Sequence, residues 1–271
     1  MSLTRAVPNR PMNPPDRRLG WLTLAALAML LAWDATGGDL ALARLAGTPL
    51  GFPLRDKGFL VQVMHEGAKD LSWLLVVALF AAIRWPVGLL RRLPAGARAQ
   101  LALTVLLSVA AISAIKHASH TSCPWDLREF GGVAHHVSHW AWKVRDGGAG
   151  GCFPAGHASA AFAYAGGFFV LRRVSSRAAA LWLGVSLAAG LALGLSQQLR
   201  GAHYMSHTLW TGWICWVVGF AVELLVSARA ARLPAAPAAM HAGSCLRAVR
   251  AGQRERRGAR VGHRLRTLPL R

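Results

Sequence analysis

The chain has 271 residues, of which 54% are hydrophobic and only 15% charged, yet its formal net charge is +20. A soluble domain carries about 25% charged residues. The composition therefore excludes an ordinary soluble domain, a disordered chain and a soluble basic DNA-binding module, and it points to an all-α polytopic membrane protein.

Six nearly uncharged runs approach the roughly 20 residues that a helix needs to cross the hydrocarbon layer. In chain order they predict spans near 19–33, 71–90, 99–115, 157–171, 178–199 and 204–226. The polar, Pro-rich stretch before Leu19 holds no apolar signal-peptide core, so the first run reads as a retained span. Arg84 interrupts the second run close enough to its end to snorkel. Small residues are abundant in the third to fifth runs, which suits close helix packing. The expected organisation is a polar N-terminus (1–18), a six-span membrane domain (19–226) and an Arg-rich tail (227–271). Residues 229–271 hold 11 Arg and one acid, Glu255; such a charge run reads as an unfolded tail drawn to anionic lipid.

Arginines also mark the sides of the membrane. Arg5, Arg10, Arg17 and Arg18 precede the first run. Arg84, Arg91, Arg92 and Arg98 lie between the second and third, and Arg172, Arg173 and Arg177 between the fourth and fifth. The positive-inside rule places these segments and both termini in the cytoplasm. The connections near 34–70, 116–156 and 197–204 then face outward, toward the periplasm if the membrane is the inner one of two. Trp21, Trp33, Trp73, Trp85, Trp125, Trp140, Trp142, Trp210 and Trp213 lie mostly near run ends and read as interfacial anchors. Cys123 and Cys152 share the second outward connection. In an oxidising compartment they are positioned to pair, with two free thiols as the alternative. A bridge would close a loop worth roughly 3 kcal/mol.

The outward segments hold eight of the 11 histidines: His117, His120, His135, His136, His139, His157, His203 and His207. Ionisable groups gathered at span edges point to a functional site. His135, His136 and His139 read as solvated loop residues, whereas His117 and His120 beside Lys116 read either way.

Three blocks carry a pattern. Lys116 is followed, after six residues, by Cys123 and Pro124; Pro154-Ala155-Gly156-His157 comes next; then Ser196, Gln197, five residues, His203, three residues and His207. In order and spacing they resemble the signature of the type 2 phosphatidic acid phosphatase superfamily, K-x6-R-P, P-S-G-H and S-R-x5-H-x3-D. The resemblance covers about 72–225. It implies an integral membrane phosphatase with its site on the outer face, acting on a lipid phosphate monoester or pyrophosphate without metal or cofactor. It further implies that His203 is the nucleophile, forming a phosphohistidine, that His157 is the acid for the leaving alkoxide, and that Lys116 clamps phosphate oxygens. The backbone amides at Ala155 and Gly156 suit an anion.

Three positions depart from the pattern: Cys123 and Gln197 replace arginines, and His207 replaces the aspartate that orients the nucleophile. Arg200, three residues before His203, is the expected substitute phosphate ligand. His207 can accept a hydrogen bond but supplies no negative charge, so Asp126 is the candidate charge partner. Three alternatives stay open. One is a phosphotransferase or inactive relative of the same family. A second is a metal-binding protein built on the His203–His207 pair, although no HExxH motif or placed carboxylate base accompanies it. The third is a transporter, which the ion-free span centres disfavour. No nucleic acid partner is expected. The particular lipid and the oligomeric state are not legible.

Overall fold

The structure, a computed structural model, describes residues 17–232. The polar N-terminal segment and nearly all of the Arg-rich tail expected from the sequence lie outside the described residues. Apart from the end of the last helix, everything below belongs to one compact unit ending at Ser227.

Among the described residues eight α-helices form: α1 (Arg17–Thr36), α2 (Gly38–Ala46), α3 (Ala68–Arg84), α4 (Ala95–Ala118), α5 (Ser159–Phe162), α6 (Gly167–Leu171), α7 (Ser176–Leu199) and α8 (Met205–Arg232). Among the described residues there are isolated β-bridges but no strand. Five helical segments among the described residues are long and apolar enough to cross a membrane: Arg17–Thr36, Phe59–Arg92, Ala95–Ala118, Ser176–Leu199 and Met205–Arg232. The protein is an all-α polytopic bundle.

Two segments differ from the expectation. The second starts earlier, because a π-helical turn (Phe59–Gly67) runs straight into α3. A search for uncharged runs misses it, since Glu66, Lys69 and Asp70 break the run. Glu66 and Lys69 form an i,i+3 ion pair, so the charges sit on a helix rather than ending one. The outward connection expected at 34–70 shrinks accordingly, and α2 occupies part of what remains.

The fourth run is only 13 residues long, Ser159–Leu171, with a 3₁₀ stretch (Ala163–Gly166) between α5 and α6. It reaches about 20 Å, short of the roughly 30 Å hydrocarbon core. It lies inside the bundle: Phe162, Ala163, Ala165, Phe169 and Val170 are all buried. The irregular backbone is re-satisfied by α7, where Trp182 Nε1 donates to the Tyr164 carbonyl (2.7 Å) and Ser186 Oγ to that of Ala161 (2.7 Å). Helix α8 approaches it so closely that a Cβ on Gly219 would fall 2.7 Å from Gly166 Cα.

The two ends of α4 set the geography. Gln100 near its start and Lys116 near its end stand about 24 Å apart at 1.5 Å per residue. Around Gln100 lies a buried polar cluster. Gln100 Nε2 donates to Glu223 (2.9 Å), Arg173 donates to Gln100 Oε1 (3.0 Å), and Arg173 also pairs with Glu223. Around Lys116 the long connection between α4 and α5 folds over the helix ends. Asp146 accepts from the Ser122 amide (2.6 Å), the Ser122 hydroxyl (2.7 Å) and the Gly148 amide (3.0 Å). Phe52, Leu127, Phe130 and Tyr204 form a small core of their own beneath it.

Candidate active site

At the Lys116 end, four chain segments converge. Helix α4 ends on Lys116, the loop after Gly151 leads through a cis Phe153–Pro154 bond to His157, the turn after α7 carries Arg200 and His203, and the first turn of α8 carries His207. The ring centroids of His157 and His203 are 6.2 Å apart, and those of His203 and His207 6.0 Å. His203 and His207 are both almost wholly buried. Cys123 and Cys152 are joined in a disulfide.

The disulfide bears on the nucleophile candidate. Cys152 Sγ lies 3.4 Å from His203 Nδ1. A disulfide sulfur has no hydrogen to give, so a hydrogen bond at this contact requires the ring hydrogen on Nδ1, which leaves the lone pair on Nε2. Ligand atoms of Cys123, Cys152 and His203 lie within 4.8 Å of one another, but the disulfide occupies both sulfurs and removes them as metal ligands.

Burial, reinforced by the nearby His207, Lys116 and His157, holds His203 well below the usual imidazole range, so it is neutral. Burial is also the main force on His157, reinforced by His65, Lys116 and Arg200, and pushes it down to about 3. Lys116 and Arg200 thus both set a positive potential at His157. Lys116 Nζ donates to the Gly151 carbonyl (2.5 Å), and its stem passes over Gly156. Arg200 is held on two sides: Nε donates to the Arg55 carbonyl (2.8 Å) and Nη1 to Gln197 Oε1 (3.0 Å). Gln197, which replaces an arginine of the pattern, thus fixes another arginine in place.

The backbone cradle is smaller than the sequence suggests. The Ala155 amide donates to the His207 carbonyl (3.2 Å), and the Ala155 carbonyl accepts from Thr211 Oγ1 (3.0 Å). Ala155 therefore ties the loop to α8 and has no free amide for an anion. Gly156 and His157 donate no such bond. The Asp126 carboxylate accepts from the Cys123 amide (3.2 Å) and caps a 3₁₀ turn.

Three residues enter that sequence reading passed over or misread. His65, from the π-helical turn, packs against His157 with ring centroids 3.8 Å apart and planes tilted by 38°. Only the π-bulge, a frequent mark of functional sites, could have flagged it, and sequence does not reveal one. His139 is buried rather than solvated, because its ring stacks on Phe153 (4.3 Å, 10°). Its Nε2 faces the third residue, Asp34, at 3.3 Å. Trp210 likewise is buried, not an interfacial anchor, and donates to Asp34 (2.9 Å). His117, His120, His135 and His136 are exposed.

A protein-family model decides the relationship: residues 97–231, about half of the chain, match the PAP2 superfamily. The chain belongs to the PAP2 superfamily. All three motif blocks fall inside the matched residues, whereas Asp34, Asp39, Arg55 and His65 lie N-terminal to them. No curated protein and no solved structure gives a significant match. Membership makes the protein a membrane phosphatase of the phosphoric-ester-hydrolase kind.

Proposed function

We propose that this PAP2 protein hydrolyses a phosphate monoester or pyrophosphate of a lipid at the outer face of the inner membrane, through a phosphohistidine on His203. The observation that carries this reading is the facing pair His203 and His157, flanked by Lys116 and Arg200 at one end of an apolar bundle.

His203 Nε2 attacks phosphorus, and the bond from phosphorus to the leaving oxygen breaks. The leaving alkoxide takes a proton from His157. Water then attacks the phosphorus–nitrogen bond, gives a proton to His157, and frees inorganic phosphate. A His157 with a pKa of about 3 is unprotonated in the free enzyme at neutral pH. A phosphate dianion bound among Lys116, Arg200 and His157 opposes the cations that depress it. Substrate binding therefore loads the acid with its proton. A lipid is the fitting substrate, since its tail stays in the bilayer while its head reaches the helix ends.

The test is phosphate release by purified protein from a panel of lipid phosphates in detergent, with chelator present. Release that survives chelator and is lost in His203→Ala supports the reading. Release that His203→Ala leaves intact overturns it, and release that chelator abolishes favours a metal site instead.

A further inference from the structure

The pattern of the family places an aspartate beside the nucleophile, and this chain has His207 there. The need for negative charge does not vanish with the residue. When His203 Nε2 bonds to phosphorus, the ring becomes cationic, and a neutral imidazole partner cannot compensate it. The groups that act most strongly on His203 are His207, Lys116 and His157, which oppose a positive ring rather than stabilise it.

A buried carboxylate stands one layer further out. Asp34, at the end of α1, has a side chain only 7% exposed. Its Oδ2 accepts from Trp140 Nε1 (3.0 Å) and Trp210 Nε1 (2.9 Å) and faces His139 Nε2 at 3.3 Å. The His139 ring meets the edge of the His207 ring, with centroids 5.6 Å apart at 87°. His207 in turn meets the His203 ring, with centroids 6.0 Å apart.

Four buried polar atoms in this region have no hydrogen-bond partner: Asp34 Oδ1, His139 Nε2, Tyr204 Oη and His207 Nδ1. Their four residues line a single cavity of about 70 Å³, together with Asp39 and the exposed His136. Unpaired buried polar atoms cost free energy each, and four around one cavity of this size mark a place for ordered water. Asp39 is already committed, accepting from Trp33 Nε1 (3.0 Å) and the Ser206 amide (2.9 Å) and from the Ser206 hydroxyl.

We infer that Asp34 is the positioning carboxylate of this enzyme, and that it acts on the nucleophile His203 through His139, the hydrated cavity and His207. The inference rests on the histidine reading proposed above. It assigns a role to a residue outside the segment matched by the family model. It also explains how His207 serves where an aspartate is usual: it passes on a charge that it does not carry.

Asp34→Asn is the discriminating variant. It keeps an oxygen to accept from the two indoles and removes only the charge. On the lipid that the wild type prefers, kcat should fall roughly 10–100-fold, as for other outer-shell carboxylate partners of histidine. KM and the thermal midpoint in detergent should stay near wild type, and Asp34→Glu should recover part of kcat. A twofold or smaller change in kcat overturns the inference, as does a loss that only tracks KM or the thermal midpoint. Nitrogen-15 spectra of histidine-labelled protein separate this from failure of the histidine reading. If the wild type releases no phosphate, a shift of the His139 and His207 ring signals in Asp34→Asn still supports the link. Unchanged signals sink it.

Discussion

Two buried carboxylates stand near opposite ends of the helix bundle. The Glu223 side chain is 3% exposed and meets Gln100 and two arginines, Arg172 and Arg173, with both of its oxygens engaged. The Asp34 side chain is 7% exposed and meets two indoles and one imidazole, with one oxygen left unpaired over a cavity. The first arrangement neutralises a charge and joins α4, α8 and the end of α6. The second keeps a charge available and sets it against an imidazole. Buried ion pairs closed on themselves hold structure, whereas an underpaired charge beside perturbed histidines marks function.

Substitutions can break that contrast. The largest effect belongs to the reacting pair. His157→Ala should lower kcat by about 10²- to 10⁴-fold, the usual worth of a placed acid, with the thermal midpoint little changed. Steady-state turnover on lipid phosphate checks it, and retained turnover would remove His157 from the acid role. At the other end, Glu223→Ala leaves Arg172 and Arg173 without their carboxylate. A broken buried pair costs about 3–5 kcal/mol, so thermal unfolding in detergent should move down sharply. Turnover per folded molecule should hold. A variant that stays stable but loses turnover would reverse the assignment of the two ends.

His65 sharpens the comparison from the site side. Its ring lies on that of His157 and helps to depress it. His65→Ala should raise the pH at which His157 gains its proton and lower kcat by about tenfold, since a well-placed acid or base is worth only a few such factors in total. The pH dependence of kcat/KM reports it. A profile that superimposes on wild type would make His65 a packing residue.

Much of this was legible beforehand. Hydropathy alone marks the apolar runs, because lipid forces long uncharged helices. Motif spacing names Lys116, His157 and His203, since chemistry fixes their residue types. What stayed hidden depends on partners far apart in sequence. His139 looks solvated until Phe153 and Asp34 cover it. Asp34 looks like a loop acid until two indoles close on it. Ala155 looks like an anion cradle until α8 takes its amide. The short fourth helix reads as a full span, because sequence does not show that its neighbours shield it from lipid.

Acid should weaken the site end by the most diffuse effect. His157 titrates at about 3, and His139 and His203 are also depressed, in each case chiefly by burial. In the unfolded chain all three return to about 6.5. Between those limits the unfolded chain binds more protons than the folded one, so stability falls as pH drops from about 6.5 toward 3 and is level above about 7. Thermal midpoints in detergent across that window should show the slope, and His157→Gln should flatten it by removing one of the three groups. A wild-type midpoint that does not fall between pH 7 and pH 4 would mean that these rings take up protons while folded. Water would then reach the site end as freely as it reaches an exposed loop.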